Sequence, residues 1–136
     1  MSMAEEETVT TLDSQTYSQR IAELREYGVE DGILLNAASE TDFRAFVEHS
    51  GFTRRAGLAL MDNGNLRAVW KGTDSGHLAL HFLGGQQVRF VISKRRPGSR
   101  HASYVAGTDT FEGIKEQVQS FHLEGLVVEV DENRHV

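Results

Sequence analysis

The fold class follows from the stretch Leu58–Ile92, LALMDNGNLRAVWKGTDSGHLALHFLGGQQVRFVI, in which large apolar residues alternate with small, polar or basic ones. A period of two is typical of β-strands that bury one face. The alternating runs are separated by turns rich in Gly, Asn and Asp, and Asn63-Gly64 is a strong hairpin signal because both residues tolerate positive φ. The stretch therefore predicts four consecutive strands joined by short turns, an antiparallel meander.

Two helices are predicted before this stretch. The first has apolar residues at spacings of four, three and three, with Ser14 as the predicted N-cap and Gly28 just past the end. Those apolar residues are Tyr17, Ile21, Leu24 and Tyr27. The second is predicted over about residues 40–50, with a capping arrangement that begins at Ser39 and a left-handed Gly51 after its last turn.

Three further elements are predicted after the meander. Ala102–Ala106 has the composition of a short fifth strand. A third helix has the clearest signal, because Asp109-Thr110-Phe111-Glu112 resembles a capping box and apolar residues follow at helical spacing. The apolar run from Leu126 to Val130 predicts a closing strand.

Together these elements predict an α+β domain: an antiparallel β-meander of four to five strands, preceded by two helices and packed against a C-terminal amphipathic helix. The chain of 136 residues fits one domain, expected over residues 13–130. Residues 1–12 are predicted to be a flexible acidic tail and residues 131–136 a frayed end, since neither has an apolar face to bury.

Composition narrows the possible chemistry and location. With no cysteine, the chain has no disulfide, no thiolate zinc site and no cysteine nucleophile. The first residues are acidic, whereas a secretory signal begins with basic residues and continues with an apolar stretch. No apolar run approaches the roughly 20 residues of a membrane span. We therefore expect a soluble cytoplasmic protein that does not insert into a membrane.

Charge is segregated along the chain. The net charge is −6, yet Leu66–His101 carries seven lysines and arginines against the single acid Asp74. That segment has a charge of +6 and the remaining residues sum to −12. If the strands alternate as predicted, Arg67, Lys71 and Arg89 share one face of the sheet with His77 and His81. We expect a basic sheet face on an otherwise acidic protein.

The cluster Lys94-Arg95-Arg96, with Arg100 and His101, extends this basic region. Clustered guanidinium groups bind phosphates and carboxylates. Two other interpretations remain open: charges that protect an edge strand against aggregation, and cations that the acidic helices neutralise within the molecule. The predicted partner- or anion-binding residues are Arg67, Lys71, His81, Arg89, Lys94, Arg95, Arg96, Arg100 and His101.

Other candidate chemistry is weak in this sequence. His77 and His81 would lie about 13 Å apart on a strand, too far for one metal ion. Ser99, His101, Ser103 and Asp109 supply the residue types of a nucleophilic triad without the motif that positions one. Gly84-Gly85 lies between two strands and cannot cradle a phosphate at a helix N-terminus. We predict no catalytic residue, metal or cofactor.

The favoured function is a non-enzymatic protein-interaction or regulatory module that uses the basic face to bind an acidic partner surface. Small bacterial regulators, including antitoxin-like and immunity-like proteins, have this size and charge. The alternative is a nucleic-acid-binding protein that uses the same face. This alternative has the charge it needs but lacks exposed aromatic residues, since Trp70, Phe82 and Phe90 alternate toward the core. A homodimer formed through an uncovered face or edge is also possible.

Overall fold

The computed structural model describes residues 17–72, 76–95, 98 and 100–129. Helix α1 is described over residues 17–30. The remaining elements are α2 (Ala37–Ser50), β1 (Gly57–Leu60), β2 (Leu66–Lys71), β3 (Gly76–Gly84), β4 (Gln87–Arg95), β5 (Ala102–Asp109), α3 (Phe111–Ser120) and α4 (Glu124–Val127). The strands form an antiparallel sheet in the order β1-β2-β3-β4-β5. The predicted α+β fold is confirmed, with a fifth strand that runs on to Asp109. No helix in the described part of the chain is long and apolar enough to cross a membrane.

The hydrophobic core lies on one face of the sheet, between the strands and the helices. Aromatic rings connect the layers edge to face. The ring centroid of Phe43 lies 5.0 Å from that of Tyr17 in α1 and 5.5 Å from that of Phe82 in β3. Phe46 joins α2 to α3 through Phe111 at 5.6 Å. The strand residues that face this core are Leu58, Leu66, Ala68, Trp70, Leu78, Leu80, Phe82, Val88, Phe90 and Ile92.

Helix α2 begins earlier than the sequence predicted, and Ser39 has another role. Asn36 is the N-cap, and its side chain accepts a hydrogen bond from the amide of Ala38. Ser39 is fully buried. Its hydroxyl donates to the carbonyl of Phe82 and accepts from the amide of Leu66 at 2.8 Å. The prediction of a cap at Ser39 was wrong because this hydroxyl bonds the sheet rather than the helix end.

Helix α1 also ends later than predicted. It continues through residue 30, and the left-handed glycine after it is Gly32, with φ of 73°. Gly28 lies inside the helix, where a Cβ would lie 2.5 Å from the carbonyl oxygen of Ile33. Gly28 therefore marks the position where the backbone of α1 lies close to that of Ile33, and not the end of the helix. The predicted cap Ser14 and the predicted termini 1–12 and 131–136 lie outside the described residues.

Two hairpin turns form where the sequence predicted them, although the positive φ in the first is at Gly64 and not at Asn63. Between β1 and β2, Gly64 has φ of 89° and Asn63 Oδ1 accepts from the amide of Asn65 at 3.0 Å. Between β3 and β4, Gly84, Gly85 and Gln86 all have positive φ, and a carboxylate oxygen of Asp42 accepts from the amide of Gln86. Both turns direct the chain straight back, which places consecutive strands side by side.

The predicted closing strand at Leu126–Val130 is wrong, because residues 124–127 form the short helix α4. Leu123 and Val127, four residues apart, are both buried, and Leu126 packs against Gly72. A short apolar run does not by itself distinguish a buried helical turn from a strand. Val130 lies outside the described residues.

Candidate functional site

The face of the sheet opposite the helices is the candidate site, and we call it the open face. In the described part of the chain, α1, α2, α3 and α4 all pack on the core face. The strand residues that point to the open face are Gly57, Ala59, Arg67, Val69, Lys71, His77, Ala79, His81, Arg89, Val91, Ser93, Arg95, Ala102, Tyr104, Ala106 and Thr108. This set has cations, two histidines, three hydroxyl-bearing residues and small or apolar residues, but no carboxylate.

Strand register arranges most of these residues in three rows that run across the strands. Arg67, His81 and Arg89 are direct neighbours and form the Arg67 row. The Lys71 row contains Lys71, His77, Ser93 and Tyr104. Between them runs the small-residue stripe, composed of Gly57, Val69, Ala79, Val91 and Ala106. Two polar rows with cations therefore border an apolar stripe.

The structure brings together four of the predicted site residues, namely Arg67, Lys71, His81 and Arg89. Arg95 is exposed further along β4 on the same face, where it pairs with Ala102. Arg100 and His101 are exposed just before β5. Arg96 lies outside the described residues.

Lys94 does not join the open face. It alternates to the core face with Ile92, and its ammonium group donates to the carbonyl of Phe121 at 2.8 Å. That carbonyl lies at the C-terminal end of α3, where a cation is favoured by the exposed carbonyl groups. A run of basic residues on a strand is divided between two faces, so Lys94 fastens α3 to the sheet.

The structure also bears on the two other interpretations of the basic cluster. Strand β4 lies between β3 and β5, so Lys94 and Arg95 do not protect an edge strand. The ion pairs among the described residues all join helical residues to each other, and Glu40 alone pairs with both Arg25 and Arg44. Within the described chain, the acidic helices do not neutralise Arg67, Lys71 or Arg89.

The two histidines of the open face are held toward the neutral form. Partial burial is the main cause that lowers the pKa of His77, and the positive charges of Lys71 and Arg67 lower it further. Partial burial is also the main cause that lowers the pKa of His81, and the positive charges of Arg89 and Arg67 add to it. The carboxylates of an acidic ligand would oppose the contribution of these cations to the lowered pKa values, whereas burial of the rings beneath the ligand would add to the contribution of desolvation.

A chain of hydrogen bonds fixes the tautomer of His81. The N-cap bond from Ala38 occupies Asn36 Oδ1, so the Asn36 amide nitrogen donates to Asn65 Oδ1 at 2.9 Å. The remaining group of Asn65, its amide nitrogen, lies 3.0 Å from His81 Nε2. Because that nitrogen is a donor, Nε2 accepts and the ring proton is on Nδ1. The N-terminus of α2 is thereby connected to the open face.

Titration of the two histidines tests this electrostatic description. We expect both imidazole midpoints below 6.5 when ring proton shifts are followed by NMR. R89Q should raise the pKa of His81 more than that of His77, and K71Q should do the reverse, because each removes the cation nearer to one ring. Midpoints at or above 6.5 in the native protein would contradict the arrangement.

The same shifts predict the sign of a pH effect on stability. The unfolded chain binds protons at the ordinary histidine pKa, whereas the native chain binds them only at lower pH. Protonation therefore favours the unfolded chain, and these groups lower the free energy of unfolding as the pH falls from about 6.5 through the native pKa values. In urea titrations, this histidine contribution should be smaller in R89Q than in the native protein.

Sequence reasoning missed Tyr104. It lies on the open face in the Lys71 row, and the residue is 73% exposed. The alternation of Ala102, Tyr104 and Ala106 could have placed Tyr104 on the face of these small residues, because residues two apart in a strand share a face. Tyr104 gives the open face the exposed aromatic residue that the sequence interpretation lacked.

The groove on the β1 side of the open face has a volume of about 450 Å³. It is lined by the small or apolar residues Gly57, Ala59 and Val69 and by longer side chains. Those longer side chains include Arg67, Lys71 and His77. The groove lining therefore combines apolar surface with cations.

A second cavity of about 360 Å³ lies where α2, the β3–β4 turn and α3 meet. Phe46 and Phe111 line it, and none of the predicted site residues does. Its charged groups Glu112 and Lys115 lie 3.7 Å apart as an ion pair. This cavity offers less charge for recognition than the open face.

The described residues form neither the nucleophilic triad nor the metal site for which the sequence supplies residue types. Ser103 and Asp109 lie six residues apart on β5, a separation of about 20 Å. Ser99 is outside the described residues. Among the residues that the structure describes, no cluster of His, Asp and Glu could hold a metal ion.

No family model, curated protein or solved structure matches the chain. The geometry and charge of the open face are therefore the features that indicate a function.

Proposed function

We propose that this protein is a non-enzymatic interaction or regulatory module whose open face binds an acidic surface of a partner protein. The observation that carries the proposal is the division of charge between the two sides of the sheet. The open face has cations and no carboxylate among its described strand residues, whereas acids outnumber lysines and arginines on helices α1–α3. Complementary charge selects a partner and raises its association rate.

A protein partner fits the open face better than a polyanion does. The small-residue stripe offers the half-buried Val69 and Val91 to apolar side chains, whereas phosphates would leave it unused. The net charge of −6 also opposes a nucleic acid at long range. Tyr104 is the observation that favours the alternative, a nucleic-acid-binding protein, because an exposed ring can stack on a base.

The proposal includes a location in the cytoplasm. Its support is that the sequence contains no cysteine, which is compatible with a reducing compartment.

A pair of double variants with the same change in net charge tests the proposed function. R67Q/R89Q removes two cations from the open face, and R44Q/K115Q removes two from the helical layer. We expect the first to weaken binding of a fluorescent glutamate-rich peptide about tenfold, and the second to change it by less than about twofold. The control breaks two ion pairs within helices and the hydrogen bond from Arg44 to the Ser18 hydroxyl, contacts near the surface that contribute little to stability.

Single- and double-stranded oligonucleotides at about 50 mM salt complete this test, since phosphate contacts are strong at low salt. Tighter binding of an oligonucleotide than of the peptide, lost in R67Q/R89Q, would replace the proposal with the nucleic-acid alternative. Equal weakening by both double variants would show that net charge, and not the open face, governs binding.

A further inference from the structure

The spacing of the rows on the open face determines what shape of ligand can contact both. Arg67 and Lys71 lie four residues apart on β2, which corresponds to about 13 Å along the strand. His81 and His77 repeat this spacing on β3. An α-helix with its side chains is about 10–12 Å wide. A helix that lies across the strands would therefore fit between the two rows.

The small-residue stripe supplies the surface under such a helix. Ala79, at its centre, is only 4% exposed, with the larger Val69 and Val91 on the neighbouring strands. Gly57 and Ala106 end the stripe on the two edge strands. Five strands span about 19 Å, which matches about 13 residues of helix. Small side chains allow a helix to approach the sheet closely. The apolar residues of that helix would then pack against the stripe.

Other ligand shapes use the face less completely. A single extended strand occupies about 5 Å of width, so across the strands it would contact the stripe or one row but not both rows. Along a strand, it would contact Arg67, Val69 and Lys71 and leave β3 and β4 unused. A helix alone contacts the stripe and both rows together.

We infer that the occupant of the open face is an acidic amphipathic helix of the partner, lying across the strands on the small-residue stripe. This inference rests on the proposed function and names the structure of its ligand. The helix has apolar residues at i, i+3, i+4 and i+7 against the stripe. Acidic residues on one flank contact Arg67 and Arg89, and those on the other contact Lys71.

Two synthetic peptides of identical composition test the inference on the native protein. One has leucines on one helical face with glutamates on both flanks, and the other has the same residues permuted around the helix. We expect the amphipathic peptide to bind about tenfold more tightly or better, and to gain helical circular dichroism when bound. Binding of both peptides should be weakened in R67Q/R89Q.

A substitution in the stripe adds a second readout. V91E places a carboxylate between the rows, and V128E makes the same change on the exposed end of α4. We expect V91E to remove the advantage of the amphipathic peptide and V128E to preserve it. The far-UV spectrum of V91E reports whether it folds, and the two-peptide comparison stands if it does not.

Three results would overturn the inference. Equal affinity for both peptides, lost in R67Q/R89Q, would leave the proposed function intact and remove the helical ligand. Binding of oligonucleotides but of neither peptide would remove both. A dimer of the native protein in sedimentation, dissociated by V91E, would assign the stripe to a second copy of this chain.

Discussion

Replacing Phe82 with alanine is expected to lower the free energy of unfolding by about 3–5 kcal/mol, the usual cost of truncating a buried aromatic residue. The Phe82 ring is fully buried. Its centroid lies 5.5 Å from that of Phe43 and 5.6 Å from that of Phe46. The ring thus joins β3 to α2, and its removal leaves a cavity that neighbouring rings cannot fill without moving a helix.

The adjacent residue supplies the control. Leu83 is 36% exposed and does not belong to the core cluster. L83A should lower the free energy of unfolding by about 1 kcal/mol or less, because little apolar surface is lost from the interior. Urea denaturation followed by Trp70 fluorescence measures both variants. A loss below about 1 kcal/mol in F82A would contradict the packing described between sheet and helices.

Replacing Gly64 with alanine is expected to lower the free energy of unfolding by about 2–4 kcal/mol, from two separate causes. Gly64 has φ of 89°, which residues with a Cβ rarely adopt. A Cβ at this position would also collide with the carbonyl oxygen of Leu34. Relief of that collision would disturb the bond from the Asn36 amide to the Gly64 carbonyl, 2.8 Å long.

Gly32 separates these two causes. Its φ of 73° is similarly left-handed, but a Cβ there would meet no atom within 4 Å. G32A should therefore lose only about 1 kcal/mol, from backbone strain alone. Equal losses in G64A and G32A would show that the close approach to Leu34 has no energetic effect. Because Asn65 follows Gly64 and contacts His81, G64A should also move the His81 ring signals in NMR spectra.

Much of the fold was predictable because the strand period is short and the turns are explicit. Residues two apart from Leu66 to Trp70 and from Val88 to Ile92 are buried, as the alternation predicted. The third helix forms where predicted, but its N-cap is Thr110, one residue after the predicted Asp109, and the Thr110 hydroxyl accepts from the amide of Gly113. Local patterns of this kind need no knowledge of distant contacts.

The errors arise where distant contacts decide the outcome. Ser39 has the chemistry of a cap, but the carbonyl of Phe82, 43 residues later, takes its proton. The Leu126 run has strand composition, yet Leu123 and Val127 fit the core as a helical turn. Neither the Phe82 carbonyl nor the core against which Leu123 and Val127 pack can be recognised from the neighbouring residues in the sequence.

The candidate site was predictable in part for the same reason. Alternation placed Arg67, Lys71, His81 and Arg89 among the polar side chains, and register makes them neighbours. Lys94 was assigned to the same cluster because the sequence counted its charge without its face. The comparison of row spacing with helix width could not be made from the sequence, because it requires the pairing of β2, β3 and β4.

Mapping the bound amphipathic acidic peptide by NMR is the most direct test of whether the open face is the binding surface. We expect the largest shifts in the backbone amides of Val69, Ala79 and Val91 and in the His77 and His81 rings. The amides of α2 and α3, on the other side of the sheet, should shift little. Shifts concentrated around Phe46 and Phe111, or an unperturbed small-residue stripe at saturating peptide, would contradict the account.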